Sequence, residues 1–136
     1  MPFLTASPIA IADLTSGIPA SEQGALVTFS GLVRDANLGR RVTGLEYSAY
    51  NEMAESVCGE ILEEAHRTWP VSVRLQHRIG QLRIGEIAVI VVVAGAHRGE
   101  SFEACRYIIE QLKRRVPIWK REHYTDGDSG WVANAE

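Results

Sequence analysis

The spacing of apolar and polar positions divides the chain into predicted strands and helices. Alternation of apolar and polar residues, or a short apolar run between turn signals, indicates a strand. Strands are predicted at residues 8–12, 24–34, 43–50, 71–79, 86–94, 118–124 and 131–132. The segment 86–94 is apolar on both faces, which is typical of a strand at the centre of a sheet.

Two longer segments carry apolar residues at helical spacing. The first follows Asn51, a favourable N-cap, and ends at Trp69-Pro70. The second follows the predicted N-cap Ser101 and ends before Pro117, which lacks an N–H and cannot continue a helix. Its predicted buried stripe contains Phe102, Cys105, Ile108, Ile109, Leu112 and Val116. Lys113 borders this stripe, where its stem can pack while its amine reaches a cleft.

The remaining segments favour a single domain over residues 1–136. Residues 13–24 and 35–41 are rich in turn-forming residues, so we expect a loop or short helical turn in the first and a mobile loop in the second. Residues 1–23 then supply an edge strand and a loop. The chain has no internal repeat and no linker. The predicted fold is α+β, with two main helices.

Composition narrows the classes of ligand and compartment. A net charge of −3 argues against broad nucleic-acid binding, so a local basic patch would suit a small anionic ligand or an acidic tail. The longest apolar run is too short to span a membrane, and the N-terminus lacks the features of a signal peptide. Cys58 and Cys105 fall on apolar helix faces, which favours buried free thiols in a reducing cytoplasm. We therefore expect a cytoplasmic protein.

The segment from Lys113 to Glu122 concentrates positive charge. Five cationic side chains surround a Val-Pro-Ile-Trp kink: Lys113, Arg114, Arg115, Lys120 and Arg121. Because Pro117 ends the helix, Lys113 and Lys120 lie on different elements and could approach one anion from two sides. The simpler explanation is a basic helix C-terminus, which the helix dipole favours by itself.

Two other basic positions are candidates for the same kind of site. His97-Arg98 lies between a strand end and a helix start, where anions often bind. A helix of about fifteen residues is about 22 Å long, so His97 and Lys113 either share a site across a subunit boundary or have separate roles. Arg34 could complete a phosphate-binding pocket with Lys113, Lys120 and Arg121, although by itself it is more simply explained as a solvated arginine at a strand end. Metal binding and nucleophilic catalysis by Ser or Cys are poorly supported.

Ordered motifs over residues 24–132 resemble the MoaE family, the large (catalytic) subunit of molybdopterin synthase. These motifs are Phe29-Ser-Gly-Leu-Val-Arg34, Asn37-Leu-Gly39, Leu45-Glu-Tyr-Ser-Ala-Tyr50, His77-Arg-Ile-Gly80, Gly85-Glu86, Ala96-His-Arg98, Leu112-Lys113, Pro117-Ile-Trp-Lys-Arg-Glu122 and Trp131-Val132. The resemblance implies an α/β-hammerhead-like α+β fold. It also implies a homodimer that binds two small ubiquitin-like carriers, giving a heterotetramer.

The resemblance further implies sulfur transfer. Each carrier's C-terminal Gly-Gly tail, as a thiocarboxylate, would deliver sulfur to cyclic pyranopterin monophosphate, and two transfers would give the dithiolene of molybdopterin. The implied functional lysines are Lys113 and Lys120. The implied substrate contacts are Leu32, Val33, Arg34, Arg121, Glu122, and His97 and Arg98 of the other subunit, with Phe29 and Ile109 as pocket walls. No cofactor is expected, because the carrier supplies the sulfur.

Two other classes of function use the same basic cluster. A non-enzymatic dimeric module would capture an acidic peptide tail or a nucleotide without converting it. A purely structural interaction domain would have a basic helix end and no tight anion site. Turnover distinguishes the enzyme from the binding module.

Overall fold

The computed structural model describes residues 1–135, which form ten strands and three helices. The strands are β1 (Leu4–Thr5), β2 (Ala25–Leu32), β3 (Ala36–Asn37), β4 (Arg40–Ala49), β5 (Val71–Arg78), β6 (Gly80–Leu82), β7 (Ile87–Gly95), β8 (Ile118–Tyr124), β9 (Gly127–Asp128) and β10 (Val132–Ala133). The helices are α1 (Ile11–Thr15), α2 (Asn51–Thr68) and α3 (Arg98–Arg115). None of these helices is both long enough and apolar enough to cross a bilayer.

The first sheet has the strand order β1-β5-β7-β2, and β7 is an interior strand as its apolar run predicts. Strands β2 and β5 pair with β7 in antiparallel fashion. Helices α2 and α3 pack together and cover one face, burying residues such as Ile61 and Ile108. On the other face, Ile9 and Leu14 pack against Ile90 and Val92. The sheet is therefore buried on both sides near its centre.

The second sheet has the order β10-β8-β4-β3, with β6 added beside β4 and β9 beside β8. Buried and more exposed residues alternate strictly along strand β8. The buried residues are Ile118, Lys120, Glu122 and Tyr124, which share one face of the strand. Two charged side chains therefore lie on the inward face of β8, where apolar side chains would be expected.

The N-terminal segment differs from the prediction. Residues 8–12 are not a strand; the first strand is Leu4–Thr5, and helix α1 begins at Ile11. The Glu55 carboxylate accepts hydrogen bonds from the backbone N–H groups of Phe3 and Leu4, at 2.9 and 2.8 Å, which holds β1 in place. Ile9 is buried, but Ile11 is 44% exposed, so their two-residue spacing did not reflect a strand face.

The segment 35–41 is a hairpin, whereas the sequence suggested a mobile loop. Asn37 pairs with Arg40 across a two-residue turn in which Leu38 and Gly39 have φ angles of 52° and 74°. Positive φ at both central positions characterises the turn that best matches the twist of paired strands. Leu38 is unusual at such a position, which explains why the sequence did not reveal the hairpin.

The N-cap of helix α3 lies four residues before the predicted N-cap, Ser101. The observed N-cap is His97, whose backbone N–H donates to the Glu100 carboxylate at 2.8 Å. Ser101 lies inside the helix, and its hydroxyl donates to the carbonyl oxygen of His97 at 2.9 Å. Phe102 is 59% exposed and does not belong to the buried stripe.

Cys58 and Cys105 are buried and unpaired, as predicted, and burial raises the pKa of Cys58 to about 12.

Candidate active site

The end of α3 and the start of β8 bring Lys113 and Lys120 to one cleft. Only Val116 and Pro117 separate the two elements, so the chain passes from helix to strand within two residues. The cleft has a volume of about 360 Å³. Its lining consists of Phe29, Gly31, Leu32, Val33, Arg34, Leu45, Tyr47, Val89, Lys113, Lys120, Glu122 and Asn134. The sequence-based expectation that the lysines approach one space from two elements agrees with this geometry.

The two lysines have different surroundings. The Lys113 Nζ donates a hydrogen bond to the Asn134 Oδ1 at 3.0 Å. Lys120 is only 8% exposed, and its Nζ lies 3.9 Å from the Glu122 Oε1. The same Glu122 oxygen accepts a hydrogen bond from the Asn37 Nδ2 at 2.9 Å. One lysine is therefore near a neutral amide, and the other is near a carboxylate that the β3–β4 hairpin holds.

The wall opposite the lysines comes from the end of β2 and the residues after it. Val33 is 4% exposed, while Leu32 and Arg34 are exposed at the rim. The Arg34 Nη2 lies 3.5 Å from the Asn37 Oδ1, which links the rim to the hairpin. Gly31 lies close to β7: a Cβ atom there would lie 2.7 Å from the Val89 Cγ1, so a larger residue would force the wall outward.

Within the part of the chain that the structure describes, the cleft lining has more cationic than acidic side chains. Among the described residues 1–135 that line the cleft, Arg34, Lys113 and Lys120 are cationic and Glu122 is acidic. Ammonium groups that are partly removed from water attract an anion more strongly than the same groups on an open surface. The arrangement suits a small anionic ligand, with Arg34 able to make paired hydrogen bonds to a phosphate.

A second cleft of about 380 Å³ adjoins the first. It is lined by Phe29, Ile109, Glu110, Lys113, Arg114 and Ala135. Phe29 and Lys113 line both clefts, so the two spaces meet at these side chains. Phe29 and Ile109, the predicted pocket walls, thus lie together beside Lys113.

His97 and Arg98 are far from this region within one chain. They line a separate cleft with Gly24, Ala25, Ala96 and Gly99, at the opposite end of α3. The helix has 18 residues, which corresponds to a length of about 27 Å. The separation is slightly larger than the sequence suggested, and His97 and Arg98 cannot reach the Lys113 cleft of their own chain.

Arg121 points away from the cleft that contains Lys120. Consecutive side chains of a strand project to opposite faces, so Lys120 and Arg121 diverge. The Arg121 Nη2 instead donates to the Glu46 Oε1 at 3.1 Å, and its guanidinium lies 5.0 Å from the centre of the Trp131 ring. The structure therefore does not bring the predicted contact Arg121 together with the other site residues of one chain.

Three further residues contribute to the site although the sequence did not indicate them: Asn37, Tyr47 and Asn134. One signal was available for the lysines themselves. Twelve of the fourteen basic residues are arginines, and the chain's only two lysines are Lys113 and Lys120. Both lie in this cleft.

Among residues 1–135 there is no group of three or more His, Cys, Asp or Glu side chains arranged to hold a metal ion.

Comparison with known proteins identifies the family. The sequence model described as MoaE protein matches residues 4–115. The molybdopterin synthase catalytic subunit of Synechococcus elongatus is 44% identical over 131 residues, which cover 95% of this chain and 79% of that protein. The chain belongs to the MoaE family.

Solved structures agree with this assignment. A molybdopterin synthase structure from Staphylococcus aureus superposes with a TM-score of 0.90 at 37% identity and covers 96% of both chains. The predicted α+β fold with two main helices is thereby confirmed. A complex of subunits 1 and 2 of the molybdopterin-converting factor from Helicobacter pylori has a related fold, with a TM-score of 0.67 at 24% identity over 79% of this chain and 70% of that one.

The MoaE relatives also confirm the predicted class of activity. They are catalytic subunits of molybdopterin synthase, a sulfurtransferase of molybdenum cofactor biosynthesis. The predicted function of this chain, the large subunit of such a synthase, is confirmed at that level. The roles of individual residues stay predictions.

Proposed function

We propose that the Lys113–Lys120 cleft binds cyclic pyranopterin monophosphate and is where two sulfur atoms are transferred to it. The sulfur would come from the thiocarboxylated C-terminus of a small ubiquitin-like carrier subunit, and the product would be the dithiolene of molybdopterin. The observation that carries this proposal is the convergence of the chain's only two lysines on one cleft with Arg34 at its rim. The substrate and the sulfur donor are both anions, and the cationic side chains of the cleft would attract both.

The charge of the cleft also suits the chemistry. A cyclic phosphate diester carries one negative charge, and opening it to a monoester adds negative charge at the departing oxygen. Cations fixed near that oxygen stabilise the transition state more than the substrate, which is the condition for acceleration. We assign the phosphate to Lys120 and Arg34, with Leu32, Val33 and Glu122 completing the substrate contacts.

Lys113 would serve the carrier's terminal acyl group. It lies where the two clefts meet, so it can face the pterin from one side and the carrier tail from the other. A Gly-Gly tail has no side chains beyond hydrogen atoms, so it would be narrow enough to pass between Phe29 and Ile109. In that position Lys113 would act as a proton-transfer group or as an electrostatic partner of the thiocarboxylate.

The cysteines of this chain need not carry the sulfur if a carrier subunit delivers it. Cys58 and Cys105 are buried and their pKa values are raised by burial, which disfavours the nucleophilic thiolate. The sulfur, in this proposal, arrives on the carrier, and the chain needs no cofactor. The two-subunit complex from Helicobacter pylori supports an assembly of this kind. The expected compartment is the cytoplasm.

A homodimer would complete the site. Strand β2 is at the edge of its sheet in the described part of the chain, and Leu26, Phe29 and Leu32 on it are exposed. An apolar edge strand favours pairing with another chain. A second copy could then supply His97 and Arg98 to the substrate, and two carriers would make a heterotetramer. Arg121 lies on the outer face of β8, so it could contact the substrate only if the substrate also reached that face.

Single-turnover sulfur transfer tests the proposal. Purified protein is mixed with thiocarboxylated carrier and cyclic pyranopterin monophosphate, and dithiolene product is followed with time. We expect product to accumulate with two carriers consumed per pterin. If the carrier complex forms and the pterin binds but no sulfur moves, the chain is a binding module and the proposal is wrong. Carrier ending in an ordinary carboxylate is the matched control.

A further inference from the structure

His77, from the His77-Arg-Ile-Gly80 motif, has no role in the proposed reaction, yet hydrogen bonds connect it to the cleft. The Lys113 Nζ donates to the Asn134 Oδ1 at 3.0 Å, and the Asn134 Nδ2 lies 3.2 Å from the His77 Nε2. The His77 Nδ1 lies 2.7 Å from the carbonyl oxygen of Arg78. His77 and Asn134 are 1% and 4% exposed, so this connection is buried.

The carbonyl oxygen of Arg78 sets the direction of every hydrogen bond in this connection. A carbonyl oxygen can only accept, so the His77 Nδ1 must carry the hydrogen. Burial lowers the pKa of His77 to about 4, so the ring is neutral near pH 7 and its Nε2 is an acceptor. The Asn134 amide must then present its Nδ2 to His77. Its Oδ1 is thereby turned toward Lys113.

Asn134 is held from two directions. Its backbone N–H donates to the carbonyl oxygen of Ile118 at 2.9 Å, just after β10 pairs with β8. Its side chain is held by His77 on β5, whose ring packs edge-on against Tyr47 at 4.9 Å between centroids. Tyr47 lines the cleft. A side chain fixed by both backbone and side-chain contacts can hold a third group in one direction.

A neutral acceptor is the appropriate partner for a lysine that must act on an anion. The amide oxygen restricts the direction of the Lys113 ammonium group and adds no negative charge of its own. The ammonium group of Lys120 lies 3.9 Å from the Glu122 carboxylate, which offsets part of its charge. Burial of an unpaired amide or imidazole group is unfavourable, which favours the arrangement in which Asn134 and His77 are paired with each other.

We propose that Asn134, oriented by His77, is a positioning residue that directs the Lys113 ammonium group into the cleft. The expected effect of Asn134 on the rate of sulfur transfer rests on the proposed function. Its expected effect on the reactivity of the Lys113 amine does not, so the two effects can be tested separately.

Acylation of the amine tests the effect on Lys113 directly. Lys113 and Lys120 are the only side-chain amines, so limiting acetic anhydride followed by peptide mass spectrometry gives the rate at Lys113 relative to Lys120. In Asn134→Ala we expect this ratio to rise about three- to tenfold, equivalent to one hydrogen bond, because the ammonium form loses an acceptor. An unchanged ratio would overturn the proposal. Val132→Ala, an exposed change in β10, is the control and should leave the ratio unchanged.

Single-turnover kinetics test whether Asn134 acts through Lys113. We expect Asn134→Ala to lower the maximum rate of sulfur transfer about ten- to a hundredfold, with the half-saturating pterin concentration changed less than about threefold. In a Lys113→Ala background the same change should produce no further loss. An equal loss in both backgrounds would show a purely structural role and would overturn the proposal.

A second variant keeps the test valid if Asn134→Ala does not fold. Asn134→Asp has the same shape but places a carboxylate beside Lys113 and removes the donor to His77. The acylation ratio should then fall below that of the unaltered protein, and an unchanged ratio would again contradict the proposal. Failure of the unaltered protein to transfer sulfur, with the acylation ratios behaving as expected, would refute the proposed function and leave the positioning role standing.

Discussion

Lys113 and Arg115 are two residues apart on the last turn of α3, but their environments are opposite in character. Arg115 crosses to α2, where its Nη1 lies 2.7 Å and its Nη2 2.9 Å from the two carboxylate oxygens of Glu64. The Tyr107 hydroxyl donates to the same carboxylate at 2.5 Å. Lys113 instead donates to an amide and lines a cleft.

The comparison separates two explanations of a basic helix end. For Arg115 the simple structural explanation is sufficient, because two hydrogen bonds to a carboxylate tie α3 to α2. For Lys113 it is not sufficient, since this residue lines a cleft that, within residues 1–135, has more cationic than acidic side chains. Cations adjacent in sequence can therefore serve stability and function separately, depending on which helix face they occupy.

The largest expected effect is on rate. Lys113→Ala should lower the single-turnover rate of sulfur transfer by about a hundred- to a thousandfold, because a group that stabilises developing charge is removed. Its thermal unfolding midpoint should remain close to that of the unaltered protein. Arg115→Ala, the matched control, should retain most of the rate. If both variants lose the rate equally, or Lys113→Ala transfers sulfur normally, the comparison does not hold.

A smaller effect is expected in the pH dependence of stability. The pKa of His77 is lowered to about 4 from 6.5, so between these values the unfolded chain binds a proton that the folded chain does not. Stability should therefore fall as pH decreases through that window, by about 2 kcal/mol between pH 7 and pH 5. Urea unfolding at the two pH values measures it. In His77→Gln this dependence should largely disappear.

The Arg115 region should respond to acid at lower pH. Hydrogen bonds from Arg115 and then from Tyr107 lower the pKa of Glu64 to about 2 from 4.5. Its stabilising contribution is present above the unfolded-state pKa and is lost only as pH falls toward 2. Glu64→Gln should therefore leave the stability change between pH 7 and pH 5 unaltered. If Glu64→Gln altered the stability change between pH 7 and pH 5, Glu64 would contribute to it and its assignment to His77 would be wrong.

Lys120→Ala should weaken binding of the pterin monophosphate about tenfold, as expected for the loss of one charge-assisted contact of about 1.4 kcal/mol. Calorimetric titration measures the dissociation constant. Unaltered affinity would count against assigning the phosphate to Lys120. The control is Arg114→Ala. Arg114 is exposed on the same helix turn as Lys113 and does not line the Lys113–Lys120 cleft.

The smallest expected effect is on folding. Arg115→Ala should lower the thermal unfolding midpoint by a few degrees, because the contact lies near the surface and solvent screens part of it. Arg115→Lys should recover only part of the loss, since an ammonium group cannot donate to both carboxylate oxygens in the same planar arrangement. Full recovery by lysine would mean that charge alone, without the paired geometry, joins the two helices.

Local patterns were sufficient to predict the frame of the fold and the positions of both lysines. The break at Pro117 places Lys113 and Lys120 on separate elements, and the alternation in β8 places Lys120 and Glu122 on the same face. The same alternation shows that Arg121 faces the other way, although its place in a shared motif with Lys120 suggested a common site.

The other site residues depend on contacts that no local pattern contains. Asn134 reaches Lys113 only because β10 pairs with β8, and it meets His77 across 57 positions of sequence. Asn37 reaches Glu122 only because a hairpin forms at Leu38 and Gly39, where one residue has an unfavourable conformation for its type. Register and turn geometry decide these contacts, and both follow from the packing of the whole sheet.

A double-mutant cycle on single-turnover sulfur transfer tests most directly whether Lys113 and Lys120 form one site. The rate at low pterin concentration is measured for the unaltered protein, Lys113→Ala, Lys120→Ala and the double variant. Groups that act together on one substrate are coupled, so we expect the double variant to deviate from the product of the single effects by more than about 0.5 kcal/mol. Effects that simply multiply would contradict the account, because the lysines would then act independently.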